Sequence, residues 1–218
     1  MNKNTIIIGI VSVVAIFAFL GIAYVLTNKP PQETAITIPE LKKVQAGDHT
    51  KWSKANKSIV VEYSDLQCPA CRQFHDYITQ NLDTDKKITD NVTFVYKHFP
   101  LTQIHKNAYR AALAAEAAGK QNKFFEMSDA LFTSQEKWSG ESNPTDYFMT
   151  LVKKLKLDAE KFKKDMDSTE VINQVKSNME EGNKNGINST PTFFLNGKRL
   201  DNIGSYDDLK AQLINSIQ

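Results

Sequence analysis

The chain has 218 residues, 41% hydrophobic and 24% charged, enough for one well-buried domain with residues to spare and unlike a disordered tail. Its 27 Lys and Arg against 25 Asp and Glu leave a net charge of +2, and only three of the basic residues are arginine, which excludes a surface built to grip nucleic acid. The two cysteines, Cys68 and Cys71, are too close together to frame a disulfide scaffold and too few to complete a zinc site by thiolates alone.

In chain order, Thr5 to Thr27 carries no charge and lies between Lys3 and Lys29. A helix of that length spans roughly 30 Å of hydrocarbon, and no Ala-x-Ala cleavage pattern follows it. Residues 1–28 are therefore expected to be an uncleaved signal anchor, a transmembrane helix crossing at 5–27. The basic residues on its two sides are too evenly matched to set its orientation. Residues 29–50 read as a polar connector, because Pro30-Pro31 cannot continue a helix. Ile36, Ile38 and Leu41 leave open a second reading, a strand docked on the domain.

The domain proper is expected at 51–218. Ser58 to Ser64 and Val92 to His98 are β-branched and aromatic runs with the length of buried strands. Arg72 to Leu82, between them, repeats Phe74, Ile78 and Leu82 at helical spacing. The segment at about 101–186 is helical: an alanine-rich helix at His105–Lys120, another at Asn122–Phe132, one opened by Asn143-Pro144-Thr145, and two more at Asp158–Met166 and Ser168–Gly182. Thr192 to Leu195, Asn196-Gly197 and Lys198 to Leu200 form a hairpin signal, and Ser205 caps a last helix. The order is β-α-β, a large helical insertion, then β-β-α: an α/β domain. The six lysines between Lys153 and Lys164 are most simply a solvated face.

A Cys-Pro-Ala-Cys sequence between a strand and a helix has a chemical consequence. Cys68 falls at the helix N-terminus with Pro69 in the first helical position, where backbone N–H groups and the helix dipole stabilise a thiolate. Cys71, one turn on and more buried, is within reach to resolve a mixed disulfide.

The run from Val60 to Cys71, the Phe99-Pro100-Leu101 turn before the alanine-rich helix, and Ser189-Thr190-Pro191-Thr192-Phe193 together resemble the DsbA-like thiol:disulfide oxidoreductases of the thioredoxin superfamily. The resemblance covers about residues 51–218 and implies a thioredoxin fold. It implies that Pro191 is a cis-proline beside the cysteines, that Thr190 and Pro191 shape the substrate groove, and that Thr190, with Pro69 and Ala70, helps set the redox behaviour of the pair. It also places Glu62 where the family keeps a buried acid. A carboxyl group on so apolar a strand has a raised pKa and could relay a proton to or from Cys71.

Other readings stand beside these. Glu62 could instead face solvent or pair with Lys97. His75, four residues after Cys71, could join both thiols around a metal, although a packing role is the plainer reading and no metal is assigned. His98 and His105 flank Phe99-Pro100-Leu101 as structural or capping groups that could approach the active-site side. The Asn56, Asn91 and Asn188 triplets are given no function.

The expected activity is extracytoplasmic thiol–disulfide exchange that introduces disulfides into exported proteins, since such a dithiol is useful where disulfides persist. No cofactor is implied. The partners would be exported proteins bearing thiols or disulfides and a membrane redox protein that recharges the pair; the chain is expected to act as a monomer on the outer side of a bacterial cell membrane. A reductase or isomerase using the same site, and a non-catalytic peptide-binding module, remain the alternatives.

Overall fold

The computed structural model of the chain describes residues 2, 17–22, 24, 36–201, 203 and 205–217. It divides into two compact units, Met1–Ala35 and Ile36–Gln218. In the first, 17–22 are helical with Phe17, Phe19, Leu20 and Ile22 exposed. Apart from Tyr24, which is also exposed, the rest of the expected membrane segment lies outside the described residues. Among the described residues no helix is long and apolar enough to cross a membrane.

The second unit is built on a five-stranded mixed sheet: β1 (His49–Trp52), β2 (Ser58–Ser64), β3 (Val92–His98), β4 (Thr192–Leu195) and β5 (Lys198–Arg199), in the order β1-β3-β2-β4-β5. β2 and β3 run parallel, and the other pairs are antiparallel. Every residue of β2 and β3 is buried, as expected of central strands covered on both faces. Side chains alternate across the sheet. Val60, Phe94 and Tyr96 pack into the larger core with both cysteines, whereas Ile59, Val61, Tyr63 and Val95 pack into a smaller one with Ile38, Leu41 and Phe99. Glu62 follows the alternation of Val60, so its side chain belongs to the cysteine face.

The helices are α1 (Pro69–Tyr77), continued by a π turn at Ile78–Leu82, then α2 (Lys86–Thr89), α3 (Ala108–Gly119), α4 (Phe124–Thr133), α5 (Gln135–Trp138), α6 (Thr145–Lys154), α7 (Ala159–Met166), α8 (Thr169–Lys184) and α9 (Tyr206–Asn215). Caps fix several starts. Asp158 accepts from the N–H groups of Glu160 and Lys161, Ser168 from Val171, and Ser205 from Asp208. The alanines of α3 are buried on nearly every side, which lets α4, α7 and α8 approach it closely.

Two expectations change. The stretch 29–50, expected as a polar connector, is not uniform: 29–35 lie outside the described residues, but 36–50 belong to the compact unit. Ile38 N–H donates to the Gly197 carbonyl at 2.7 Å and Arg199 N–H to that of Ile36 at 2.8 Å, so the segment docks along β5 and buries Ile38 and Leu41. Gly197 is required there: its φ is +78°, and a Cβ would stand 2.5 Å from the Ile38 carbonyl oxygen. The second change is β1, an antiparallel edge strand on β3 that runs across the expected boundary between 50 and 51.

Candidate active site

The turn from β2 into α1 is held by hydrogen bonds both within itself and from more distant segments. Asp65 Oδ1 accepts from Gln67 N–H at 2.7 Å, and Oδ2 accepts from Leu101 N–H at 2.8 Å. Gln135 of α5 donates its side-chain amide to the carbonyls of Leu66 and Cys68, at 2.9 and 3.2 Å. The helical insertion therefore braces the backbone that carries the first cysteine. Cys68 is the N-cap of α1 with Pro69 following, as the sequence pattern requires.

Both cysteines are free thiols. Cys68 is 7% exposed and Cys71 fully buried. A hydrogen bond from the Cys71 thiol, aided by the N–H groups of Cys71 and Ala70, outweighs burial and lowers the Cys68 pKa to about 5. Burial, then the neighbouring Cys68, pushes Cys71 well above the usual thiol range. One sulfur is a thiolate at neutral pH with a small exposed surface and the other an enclosed thiol. The Thr190–Pro191 peptide bond is cis, and the Thr190 carbonyl oxygen lies 3.5 Å from Cys68 Sγ. The structure thus brings Cys68, Pro69, Ala70, Cys71, Thr190 and Pro191 together.

Glu62 is 4% exposed and sits between Tyr96 of β3 and Phe193 of β4 in register. Burial raises its pKa to about 7, against smaller opposing effects of Ser64 and the Lys51 charge. It does not pair with Lys97, which faces the opposite side of the sheet and is held by Asp48 at 2.9 Å and Glu181 at 2.8 Å. Glu62 lines a cavity of about 20 Å³ shared with Lys51, His75, Tyr96, Ser128 and Asp129, room for one water molecule. Asp129 is half exposed, so the cavity reaches toward solvent.

The histidines resolve differently. His75 stacks on Phe132 and lies 3.6 Å from Asp129 rather than joining the thiols; burial lowers its pKa to about 4, which leaves it neutral. His98 lies 3.3 Å from Glu116, and His49 bonds the same carboxylate at 2.9 Å. His105 meets Asp65 at 2.7 Å. Two depressions flank the Cys68–Pro69 turn. One of about 570 Å³ is lined by Gln67, Pro69, Arg72, His105, Gln135 and Glu136; the other, about 210 Å³, includes Phe74, Ser189, Pro191, Phe193 and Leu200.

Asp65, Gln135, Lys51 and Asp129 were not singled out from the sequence. Asp65 had a local signal, an Asp three residues before the N-cap, where Asx turns form. The other three reach the site from distant segments.

The thioredoxin family model matches residues 47–215 of the chain. A Na(+)/H(+) antiporter NhaA 1 of Salinispora arenicola is 35% identical over 160 residues, and one of Mycobacterium sp. (strain KMS) 32% over 174 residues. These matches cover 73% and 78% of this chain but 23% and 27% of the relatives, so the chain spans about a quarter of the length of the curated relatives it matches. Among solved structures, oxidised BdbD from Bacillus subtilis superposes with a TM-score of 0.69 at 25% identity, covering 84% of this chain and 98% of that one. The α-DsbA1 protein from Wolbachia pipientis gives 0.64 at 20% identity, with 82% and 94% covered, a likeness of fold. The chain belongs to the thioredoxin family, and its fold is that of the DsbA-type oxidoreductases.

Proposed function

We propose that the chain is a membrane-tethered thiol–disulfide oxidoreductase that introduces disulfides into exported proteins, with its domain outside the cytoplasm. The observation that carries this reading is the opposed ionisation of the two sulfurs across one helical turn, with Glu62 buried on the same face. A substrate thiolate attacks Cys68 Sγ of the oxidised pair, the Cys68–Cys71 bond breaks, and the electron pair leaves on Cys71. Cys71 needs a proton because its thiolate is strongly disfavoured, and Glu62 supplies it from the cavity side. A second substrate thiolate then attacks the substrate sulfur of the mixed disulfide and expels Cys68 as a stable thiolate. The substrate loses two electrons and two protons, and a membrane redox partner must reoxidise the pair.

The lowered Cys68 pKa supports the oxidising direction. Stabilising the Cys68 thiolate stabilises the reduced protein and makes its disulfide a stronger oxidant. A reduction potential near about −120 mV is expected, whereas one near about −270 mV would favour the reductase reading. Cys71→Ser should trap substrates as mixed disulfides on Cys68. If nothing is trapped and biological function persists, the domain is a peptide-binding module instead. The exposed apolar helix at 17–22 supports the tether. Antiport is not carried over from the longer relatives, because the matched stretch is only the size of the thioredoxin-family region.

A further inference from the structure

The scheme above leaves one pair of side chains at the site unused. Asp65 has no exposed side-chain surface, and both its oxygens face N–H donors: Gln67 at 2.7 Å on Oδ1, Leu101 at 2.8 Å on Oδ2. A backbone N–H can only donate, so both oxygens act as acceptors. His105 Nδ1 also meets Oδ2, at 2.7 Å, and must therefore carry its proton on that nitrogen. In the neutral ring Nε2 then holds the lone pair. The His105 side chain is 16% exposed and lines the larger depression with Gln67 and Pro69, the residues on either side of Cys68. The remaining charges there are Arg72 and Asp76 from α1 and Glu136 from α5. Arg72 and Glu136 bind each other at 2.8 Å, while the neighbouring Lys106 donates to the Gly140 carbonyl at 2.8 Å. No cation is bonded to the imidazole among these contacts.

We propose that His105, positioned by Asp65, takes the proton from the cysteine thiol of an incoming peptide substrate. The inference rests on the oxidoreductase reading above. The S–H bond breaks and its proton moves to Nε2. The new thiolate attacks Cys68, a substrate–Cys68 S–S bond forms, and the Cys68–Cys71 bond breaks with its electron pair on Cys71. The imidazolium passes its proton to water, while Cys71 is protonated from the Glu62 side. One base thus serves the entering sulfur and a separate acid the leaving one.

The test follows the reaction of the oxidised full chain, in detergent, with a single-cysteine peptide across pH, for wild type, His105→Gln and His105→Asn. At neutral pH the variants should be about 10–100-fold slower, and above about pH 9.5 they should approach wild type, because the peptide thiol is then ionised without help. Alkylation of Cys68 by iodoacetamide in the reduced variants should be unchanged. Equal rates at all pH values, or the same loss at all pH values as for a purely structural residue, overturn the inference while leaving the oxidoreductase reading intact. Absence of exchange by the wild-type chain overturns both. Where the variants do not fold, nitrogen-15 shifts of His105 in the wild type decide: an Nδ1-protonated ring is required, and an Nε2-protonated ring contradicts the inference.

Discussion

Two glutamates of this domain are buried almost equally, Glu62 at 4% exposure and Glu116 at 5%, and they behave in opposite ways. Glu116 belongs to the helical insertion and reaches two imidazoles, His49 at 2.9 Å and His98 at 3.3 Å. Burial pushes its pKa up, but those two contacts together outweigh it and bring the value to about 2. Glu62 lies behind the cysteines, where burial outweighs the opposing Ser64 hydrogen bond and Lys51 charge and takes it to about 7. Burial alone therefore does not decide whether an acid is inert or poised for proton transfer; the groups placed around it do. The insertion compensates its buried charge and so serves stability, whereas the thiol face compensates Glu62 only in part and so keeps a proton available near neutral pH.

The largest effect should come from removing the compensation. Glu116→Gln should lower the unfolding free energy by about 3 kcal/mol at pH 7, measured by urea denaturation. The sign follows from the lowered pKa. The carboxylate's contribution is complete above the unfolded value of 4.5 and is lost as pH falls toward about 2, so mutant and wild type should converge in acid. Thiol exchange per folded molecule should hardly change.

Glu62→Gln should do the reverse. Its raised pKa means that stability is complete below the unfolded value of 4.5 and is lost as pH rises through about 7. The mutant should match wild type near pH 4 and be more stable at pH 8, by up to about 3 kcal/mol. Exchange should slow about 10–100-fold, and the inflection near pH 7 should vanish from the rate profile. A Glu62→Gln protein with an unchanged profile breaks the comparison.

Lys51→Met sharpens the contrast further. The Lys51 charge draws the Glu62 pKa down, so its loss should move the inflection upward, by less than burial has already moved it. The smallest effect is expected from Lys120→Ala, which removes an exposed pair with Glu170; unfolding curves should overlay those of wild type.

The central strands could be read from the chain because their chemistry is local. Ser58–Ser64, Val92–His98 and Thr192–Leu195 are rich in β-branched and aromatic residues and almost wholly buried, and Asn196-Gly197 can enter the positive-φ turn between β4 and β5. The cysteine pair was legible for the same reason, since cap, proline and helix follow one another. β1 was not, because His49-Thr50-Lys51-Trp52 is short, polar and only half buried at the sheet edge. The polar pairings were also hidden. Asp65 and His105 stand 40 residues apart and His49 and Glu116 stand 67 apart, and no local pattern links either pair. Only the folded sheet, with α3 and the loop before it laid beside it, brings them together. His75 carries the opposite lesson: its spacing from Cys71 suggested a shared site, but its place on α1 turns it toward Phe132 and Asp129.

The contrast between the two acids can be read directly by carbon-13 titration of their side-chain carboxyl groups in the reduced full chain. The account predicts that Glu62 titrates near pH 7 and that Glu116 stays ionised down to about pH 2. Two carboxyl groups titrating together near the ordinary value of 4.5 would contradict it.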